Sequence, residues 1–317
     1  MESQKPRIEF YRSRTFSEKL NATFDFIREN WKPLLKYTFF LAMPLCLIQA
    51  YAQNLWVLGA ANFSAMADPS VGGFGASVQQ EIAGFGLSYG VMMLCGFVAS
   101  ILITSLVYAL MDAYGRRENR LAGVTYADFS GLLWKNARRS LSIILFYIAA
   151  IIVFVVIAVL LATISKYLLA IVVPLTIFAV ICLIPLSLTL PIYLFEEETS
   201  LFAAVGRAWR FGFRTFGGVL GLMIVLGLIA AVIQIFTTLP WYIALITGSI
   251  MSGLGETAMS QSIIFKFGLY ILGLIQTFGV YIASTITIIG LAFHYFSTRE
   301  EAEGVAIDYD ITNFENL

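Results

Sequence analysis

The residues with the greatest chemical potential in this sequence are one histidine, three cysteines and a few amides in apolar stretches. His294 stands alone, and a lone histidine cannot supply the three or four ligands of a zinc site. Cys46, Cys95 and Cys182 lack the spacing of a metal site or a disulfide framework, so we expect buried structural thiols. The sequence contains no P-loop or strand–GxGxxG–helix pattern. We therefore predict no enzyme activity, no cofactor and no metal.

Four amides are the strongest polar groups that we identify within the apolar stretches. They are Gln49, Asn54, Gln234 and Gln276. We favour hydrogen bonding between helices, which contributes on the order of 0.6–2 kcal/mol for each bond. The alternative is a polar cavity that binds a substrate. Because the cores of these stretches contain no Asp, Glu, Lys or Arg, the sequence argues against a carboxylate proton relay and a voltage sensor.

Six apolar stretches are long enough to cross a bilayer, since a spanning helix needs about 20 such residues. Of the 317 residues, 59 % are hydrophobic and only 13 % are charged, against about 25 % charged in a soluble domain. Pro174, Pro185 and Pro191 predict a kink or break near 185–191 in the fourth stretch. The fold class is therefore an all-α integral membrane protein with six transmembrane helices in three hairpins. The stretches are 34–57, 85–111, 141–164, 167–194, 216–239 and 267–296.

Basic residues lie almost entirely on one side of the predicted spans. Eighteen of the twenty Lys and Arg residues lie within residues 1–36, in the second or fourth loop, or after the sixth span; the exceptions are Lys166 and Lys266. Basic residues of short loops stay cytoplasmic. We therefore predict cytoplasmic termini and a place in the cytoplasmic (inner) membrane. Because 20 acidic residues balance the 20 basic ones, we expect no nucleic-acid partner.

A short amphipathic segment, or arm, precedes the first, third and fifth spans. At about 100° per residue, apolar and charged side chains fall on opposite sides of each arm. We predict cytoplasmic helices that lie in the membrane interface; the alternative is that the arms only extend the spans. The apolar sides carry Phe16, Leu20, Phe24, Ile27 and Trp31, then Tyr126, Leu133, Trp134, Ala137 and Leu141, then Leu201, Val205, Trp209, Gly212 and Phe216.

An arm followed by two spans occurs three times, over 15–111, 125–195 and 199–296. We predict one membrane domain over 15–296, with cytoplasmic tails at 1–14 and 297–317, and the pattern leaves open whether this is a true repeat. Residues 58–84 are expected to form an external loop. Residues 240–264 include an apolar run too short to span, which predicts an interfacial or a re-entrant helix.

The basic and aromatic residues of the arms are candidates for contact with lipid headgroups. Anionic headgroups attract such cations with about 1 kcal/mol each, and tryptophan prefers the interface. Orientation of the chain by positive charge explains the same arginines. The candidates are Trp134, Arg138, Arg139, Arg207, Trp209, Arg210 and Arg214.

Two stretches resemble motifs of a known family. Residues 190–229 combine a proline-ended span, an acidic stretch and an A-x-x-x-S/A-W-R arm, with the motif at Ala204, Ala208, Trp209 and Arg210. Residues 295–304 (YFSTREEAEG) are similar to a YYDLR-x-x-x-EG ending. Together the two stretches resemble the six-span bacterial glycerophosphoryl diester phosphodiesterase membrane-domain family.

The resemblance implies an integral membrane module and covers the C-terminal half of the chain, with the N-terminal half alike only in topology. Ser297 and Thr298 depart from the family's Asp-Leu. Thirteen residues follow Gly304, so we expect no soluble phosphodiesterase domain and do not transfer its activity. The ending motif falls on Tyr295, Phe296, Arg299, Glu303 and Gly304.

Arg299 and Glu303 lie four residues apart and can pair with each other or with an arm. We predict a structural latch that binds Trp209 and Arg210 and closes the cytoplasmic face. The predicted function is a non-catalytic module that supports envelope or lipid-related partners. The alternative is a transporter or lipid-handling protein with a cavity between its helices. Membrane lipids are the expected partners, and other membrane proteins or a homo-oligomer stay open.

Overall fold

The chain is folded almost entirely into α-helices. The computed structural model describes residues 6–66, 76–164, 169–253 and 262–305. Six helical segments in these ranges are long and apolar enough to cross a membrane, and the fourth combines two consecutive helices. The protein is thus an all-α, multi-pass membrane protein, as predicted. The helices are α1 (Phe16–Met66), α2 (Ala76–Arg116), α3 (Tyr126–Ile164), α4 (Leu169–Leu186), α5 (Thr189–Phe195), α6 (Leu201–Arg214), α7 (Phe216–Gly253) and α8 (Ile263–Glu303).

The predicted break in the fourth span is confirmed. Helix α4 ends at Leu186, one residue after Pro185, and α5 begins at Thr189. A proline in a helix removes a donor and clashes with the preceding turn. The hydroxyl of Tyr147 lies 2.7 Å from Thr189 Oγ1 and 3.3 Å from the carbonyl oxygen of Leu186. This side chain therefore supplies a hydrogen-bond partner at the break.

Two segments between predicted spans are more helical than the sequence analysis expects. Helix α7 runs through Pro240 to Gly253, so the apolar run from Trp241 continues the fifth span and is neither a separate interfacial nor a re-entrant helix. Membrane helices tolerate proline because neighbouring groups satisfy the freed carbonyl. Helices α1 and α2 likewise cover all of 58–84 except 67–75, which lie outside the described residues. Residues 254–261 also lie outside them.

Similar breaks lie near the ends of the first and third arms. Asn30 interrupts α1 with φ −115° and ψ 17°, and Thr215 ends α6 with φ −112° and ψ 27°. Each side chain donates to the carbonyl of a phenylalanine four residues earlier: Asn30 Nδ2 to Phe26 at 3.0 Å, and Thr215 Oγ1 to Phe211 at 2.8 Å. The second arm has no break, because α3 continues from Tyr126 to Ile164. Only the third arm is a separate helix.

Side chains cap the start of each arm. The carboxylate of Glu18 accepts the backbone N–H of Thr15 at 2.7 Å, and that of Asp128 accepts the N–H of Thr125 at 2.7 Å. Both pairs have the three-residue spacing of a capping box. Helix α6 uses Ser200, whose hydroxyl accepts the N–H of Ala203 at 3.3 Å.

The chain divides into two compact units that cut across the three predicted repeats. The charged unit comprises the described parts of 1–34, 104–227 and 286–317; the amide unit comprises those of 35–103 and 228–285. Their interiors differ in side-chain size. The charged unit buries Phe26, Tyr108, Tyr114, Phe129, Phe293, Tyr295 and Phe296, whereas the amide unit buries many small residues, among them Ala42, Cys46, Ala50, Ala52, Cys95 and Ala99.

Candidate functional site

A buried carboxylate organises the loop between α5 and α6 in the charged unit. The side chain of Glu196 is only 5 % exposed. Its Oε2 accepts hydrogen bonds from the Arg207 guanidinium and from the Thr199 hydroxyl at 2.8 Å. Its Oε1 accepts one from the Tyr295 hydroxyl at 2.9 Å. These donors satisfy a charge that would be costly to bury alone.

Two further charges extend this cluster, which we call the ionic latch (Glu196, Arg207, Arg299 and Glu303). Arg207 also donates to Glu303 Oε1. Arg299 Nε donates to Glu303 Oε2 at 3.0 Å and lies 3.9 Å from Glu196 Oε1. Two carboxylates thus face two guanidinium groups, and their formal charges cancel. The predicted Arg299–Glu303 pair is present within the latch.

The arm residue that joins the latch is Arg207, whereas the sequence analysis expected Trp209 and Arg210. Arg210 is exposed, and among the described residues it has no ion-pair partner. The two arginines differ by about 60° in direction around α6. That rotation points Arg207 at Glu196 and Glu303 and points Arg210 away from them, a difference that a pattern of basic residues does not reveal.

Arg139 of the second arm binds the backbone of the same loop between α5 and α6. It donates to the carbonyl oxygens of Glu196 at 3.0 Å, Glu197 at 2.9 Å and Thr199 at 3.1 Å. Its guanidinium carbon lies 4.0 Å from the centre of the Tyr193 ring. This candidate headgroup contact therefore serves the protein interior.

The carboxylate next to Glu196 also has partners on other helices. Glu197 pairs with Lys135 Nζ at 2.8 Å and with Arg116 Nη2 at 3.5 Å. The hydrogen bond from Lys135, together with the positive charges of Lys135 and Arg116, holds the pKa of Glu197 below its usual value. Arg138 is the exposed cation of the second arm. Its Nε donates to the carbonyl oxygen of Trp134 at 3.4 Å.

Residues 6–14, expected to belong to a tail, pack into the charged unit as an N-terminal strap. The Phe10 ring stacks on Phe296 with centroids 5.0 Å apart and meets Phe293 edge-on at 5.8 Å. The Arg14 N–H donates to Ser297 Oγ at 3.0 Å. Arg299 donates to the Tyr11 hydroxyl at 3.3 Å, and burial raises the pKa of Tyr11. The only sequence signal was the aromatic pair Phe10-Tyr11 in a polar segment.

Each arm presents three sectors, where the sequence analysis expected two. In α6 the sectors are buried, exposed aromatic and basic, each rotated from the next by roughly 100–140°. Gly212, expected on the apolar side with Trp209, instead packs against Pro185. The buried sector contains Ala204, Ala208, Phe211 and Gly212, the aromatic sector Phe202, Trp209 and Phe213, and the basic sector Arg207, Arg210 and Arg214.

The first two arms show the same division. Each arm exposes one tryptophan outside its buried sector: Trp31 at 52 %, Trp134 at 52 % and Trp209 at 44 %. Trp134 Nε1 donates to the Tyr126 hydroxyl at 3.1 Å, and the Trp209 ring lies 4.5 Å from that of Phe213. The buried sectors hold Lys19, Ala22, Thr23, Phe26 and Asn30 in the first arm, and Phe129, Leu133, Asn136, Ala137 and Ser140 in the second.

The predicted span amides lie in the amide unit, and three of the four are hydrogen-bonded. Gln276 Oε1 accepts from Gln53 Nε2 at 2.9 Å. Gln49 Oε1 accepts from the Tyr281 hydroxyl at 2.5 Å, and Asn54 Oδ1 from Trp241 Nε1 at 3.0 Å. These bonds join α1 to α7 and α8, as the hydrogen-bonding interpretation expects.

Gln53 was missed, although it lies one helical turn after Gln49 and on the same face of α1. Gln234 has no side-chain hydrogen bond among the described residues. Space beside the bonded amides is small: a Cβ added at Gly273 would lie 3.3 Å from Trp241 Nε1, and one at Gly96 would lie 3.4 Å from Gln49 Nε2.

No family model, curated protein or solved structure matches this chain. The resemblance to the glycerophosphoryl diester phosphodiesterase membrane-domain family therefore stays a prediction. In the part of the chain that the structure describes, no group of three or more His, Cys, Asp or Glu residues is placed to hold a metal ion.

Proposed function

We propose that this chain is a non-catalytic integral membrane module that contacts lipid headgroups through its three arms and supports envelope or lipid-related partners. One observation carries the proposal: every arm exposes a tryptophan beside the sector with which it packs into the charged unit. An indole ring with one polar edge suits the boundary between headgroups and acyl chains. The three exposed tryptophans therefore support the proposal that all three arms lie in the membrane interface.

The proposed orientation follows from charge. Eighteen of the twenty basic residues lie on the side of the arms, and basic residues of short loops stay cytoplasmic. We propose that the arms and both termini face the cytoplasm, and that the membrane is the cytoplasmic membrane of a bacterium.

The polar side chains of the latch and of the span amides bond mainly to one another, which supports a module without a substrate site. The ionic latch balances its own charges, and Gln53, Gln276, Gln49 and Asn54 have hydrogen-bond partners on other helices. A transporter or lipid-handling protein would present such groups to its cargo. This alternative gains support if a cargo binds at the amides.

Tryptophan quenching tests the proposal. Variants that keep a single tryptophan, with the other four replaced by phenylalanine, are reconstituted in nanodiscs whose lipids carry bromine at shallow or deep acyl positions. We expect Trp31, Trp134 and Trp209 to be quenched most by shallow bromine. Trp241, which is 3 % exposed, serves as the control and should be quenched little at any depth. If none of the three arm tryptophans is quenched by lipid, the arms lie in water and the proposal is wrong.

Native mass spectrometry of the gently solubilised protein addresses the alternative. We expect retained phospholipid and no other small molecule. A single small molecule that stays bound, and is lost in the Gln53→Leu variant, would overturn the proposal in favour of a cavity.

A further inference from the structure

Among the described residues, the positive charges on α6 are only partly balanced by carboxylates. Of its three arginines, Arg207 is neutralised in the ionic latch by Glu196 and Glu303. Arg210 and Arg214 are exposed, and neither has an ion-pair partner among the described residues. The helix itself contains no Asp or Glu. Two positive charges on one side of α6 are therefore open to counter-charges other than those of the described residues.

Neither of the other two arms carries two exposed arginines that lack an ion-pair partner among the described residues. In the first arm, Asp25 pairs with Arg28 at 3.2 Å and Glu29 pairs with Arg120 at 2.6 Å. In the second arm, the loop and Glu197 engage Arg139 and Lys135. Two adjacent, uncommitted arginines are thus a property of α6 and not of arms in general.

The neighbours of these arginines indicate where their counter-charge lies. Trp209-Arg210 and Phe213-Arg214 repeat one aromatic–arginine pair four residues, or about 6 Å, apart. Both aromatic rings belong to the exposed sector, and Phe202 extends that sector at 76 % exposure. When such a face enters the acyl region, the flanking guanidinium groups lie at the depth of lipid phosphates.

Resting on the proposed function, we propose that Arg210 and Arg214 form a binding site for the phosphate of an anionic phospholipid. Guanidinium groups bind phosphate oxygens with paired N–H donors. A zwitterionic headgroup also brings an ammonium group, for which α6 offers no carboxylate. The site therefore selects lipids of net negative charge, and Arg207, held in the latch, takes no part.

The test uses the variant that keeps only Trp209, reconstituted in nanodiscs of phosphatidylcholine and phosphatidylglycerol at fixed proportions. Bromine is placed on one lipid or the other, and the ratio of quenching gives the relative affinity of the two lipids at this site. We expect phosphatidylglycerol to be preferred, by about fivefold for each arginine. The Arg210→Gln/Arg214→Gln variant should bring the ratio to about one, while Arg210→Lys/Arg214→Lys keeps most of the preference because it keeps both charges.

The matched control is Arg28→Gln/Lys32→Gln, which removes two positive charges from the first arm. It should leave the preference within about twofold, because those charges belong to another helix. An equal loss in the control, an unchanged ratio in Arg210→Gln/Arg214→Gln, or a complete loss in the lysine variant overturns the inference. Equal quenching by both brominated lipids in the parent also overturns it but leaves the proposed function intact, whereas no quenching by either lipid contradicts the proposed function itself.

Discussion

The charged unit and the amide unit place polar side chains among apolar helices in different ways. In the charged unit, a buried carboxylate pairs with partly exposed guanidinium groups, as Glu196 and Arg207 show. In the amide unit, neutral groups bond one to one, as Gln53 and Gln276 show. Removing one partner of a buried ion pair leaves an uncompensated charge, which lowers the free energy of unfolding strongly. Removing one partner of an amide pair costs less free energy. Stability should therefore depend unequally on the two units.

The largest effect is expected at the buried carboxylate. Glu196→Ala leaves the buried Tyr295 hydroxyl without its acceptor and leaves Arg207 with Glu303 as its remaining carboxylate partner. We therefore expect the free energy of unfolding to fall by about 3 kcal/mol. Thermal unfolding in detergent, followed by near-ultraviolet circular dichroism, measures the loss. Glu198→Ala is the control: its side chain is exposed, and it should change stability by less than about 0.5 kcal/mol. Similar losses in the two variants would contradict a special place for Glu196.

The next effect tests how closely α6 packs in the charged unit. A Cβ at Gly212 would collide with the backbone of Pro185, so Gly212→Ala should destabilise by about 1–3 kcal/mol. Gly206 on the same helix has nothing within 4 Å of an added Cβ. Gly206→Ala should therefore raise the unfolding temperature slightly through helix propensity. A stabilising Gly212→Ala would show that α6 is not held against Pro185.

Double-mutant cycles compare the two units directly. Arg207→Gln with Glu303→Gln should show a coupling energy of about 1 kcal/mol, since the pair is partly exposed. Gln53→Leu with Gln276→Leu should show about 0.6 kcal/mol. Arg210→Gln with Glu303→Gln should be additive, because Arg210 lies outside the latch. Coupling of Arg210 to Glu303 as strong as that of Arg207 would reinstate the partner that the sequence suggested.

The smallest expected effect is a pH-dependent loss of stability in the charged unit that has no counterpart in the amide unit. Lys135 holds the pKa of Glu197 below its usual value, so this pair adds stability above the unfolded-state pKa of about 4.3 and loses it as the pH falls through the folded-state value. Lys135→Gln should therefore lower the unfolding temperature at pH 7, and the parent and variant curves should converge at an acidic pH below the folded-state pKa of Glu197. Gln53→Leu serves as the comparison, and its effect should be the same at both pH values.

Features that depend on a local run of residues were predictable from the sequence. The six spans follow from uninterrupted apolar stretches, and the break before Thr189 follows from Pro185. The predicted end of the fifth span at residue 239 was wrong, because the helix continues through Pro240 to Gly253 and membrane helices tolerate proline. Capping of the first arm by Thr15 and Glu18 was also readable, since both residues belong to one helical turn.

Features that depend on distant partners were not predictable. Glu196 and Tyr295 are 99 residues apart, and no pattern in the residues around either one predicts their contact. The choice of Arg207 over Arg210 rests on a rotation of about 60° around one helix, which becomes decisive only when α8 lies beside it. For the Gln53–Gln276 bond, the one-turn spacing of Gln49 and Gln53 could have identified Gln53 as a polar residue on the same face of α1. Its partner on α8 could not be predicted from the sequence.

The packing of the N-terminal strap imposes a time order on biogenesis. The Arg14 amide binds Ser297, which is 283 residues later in the chain. At 5–20 residues per second, a ribosome needs about 15–60 s to synthesise that interval. Throughout this time Phe10 and Tyr11 have no Phe296 to pack against, while the first helices have already left the ribosome. Residues 6–14, which are translated before α1, are thus among the last to pack, and completion of the aromatic core is a step that follows translation of α8.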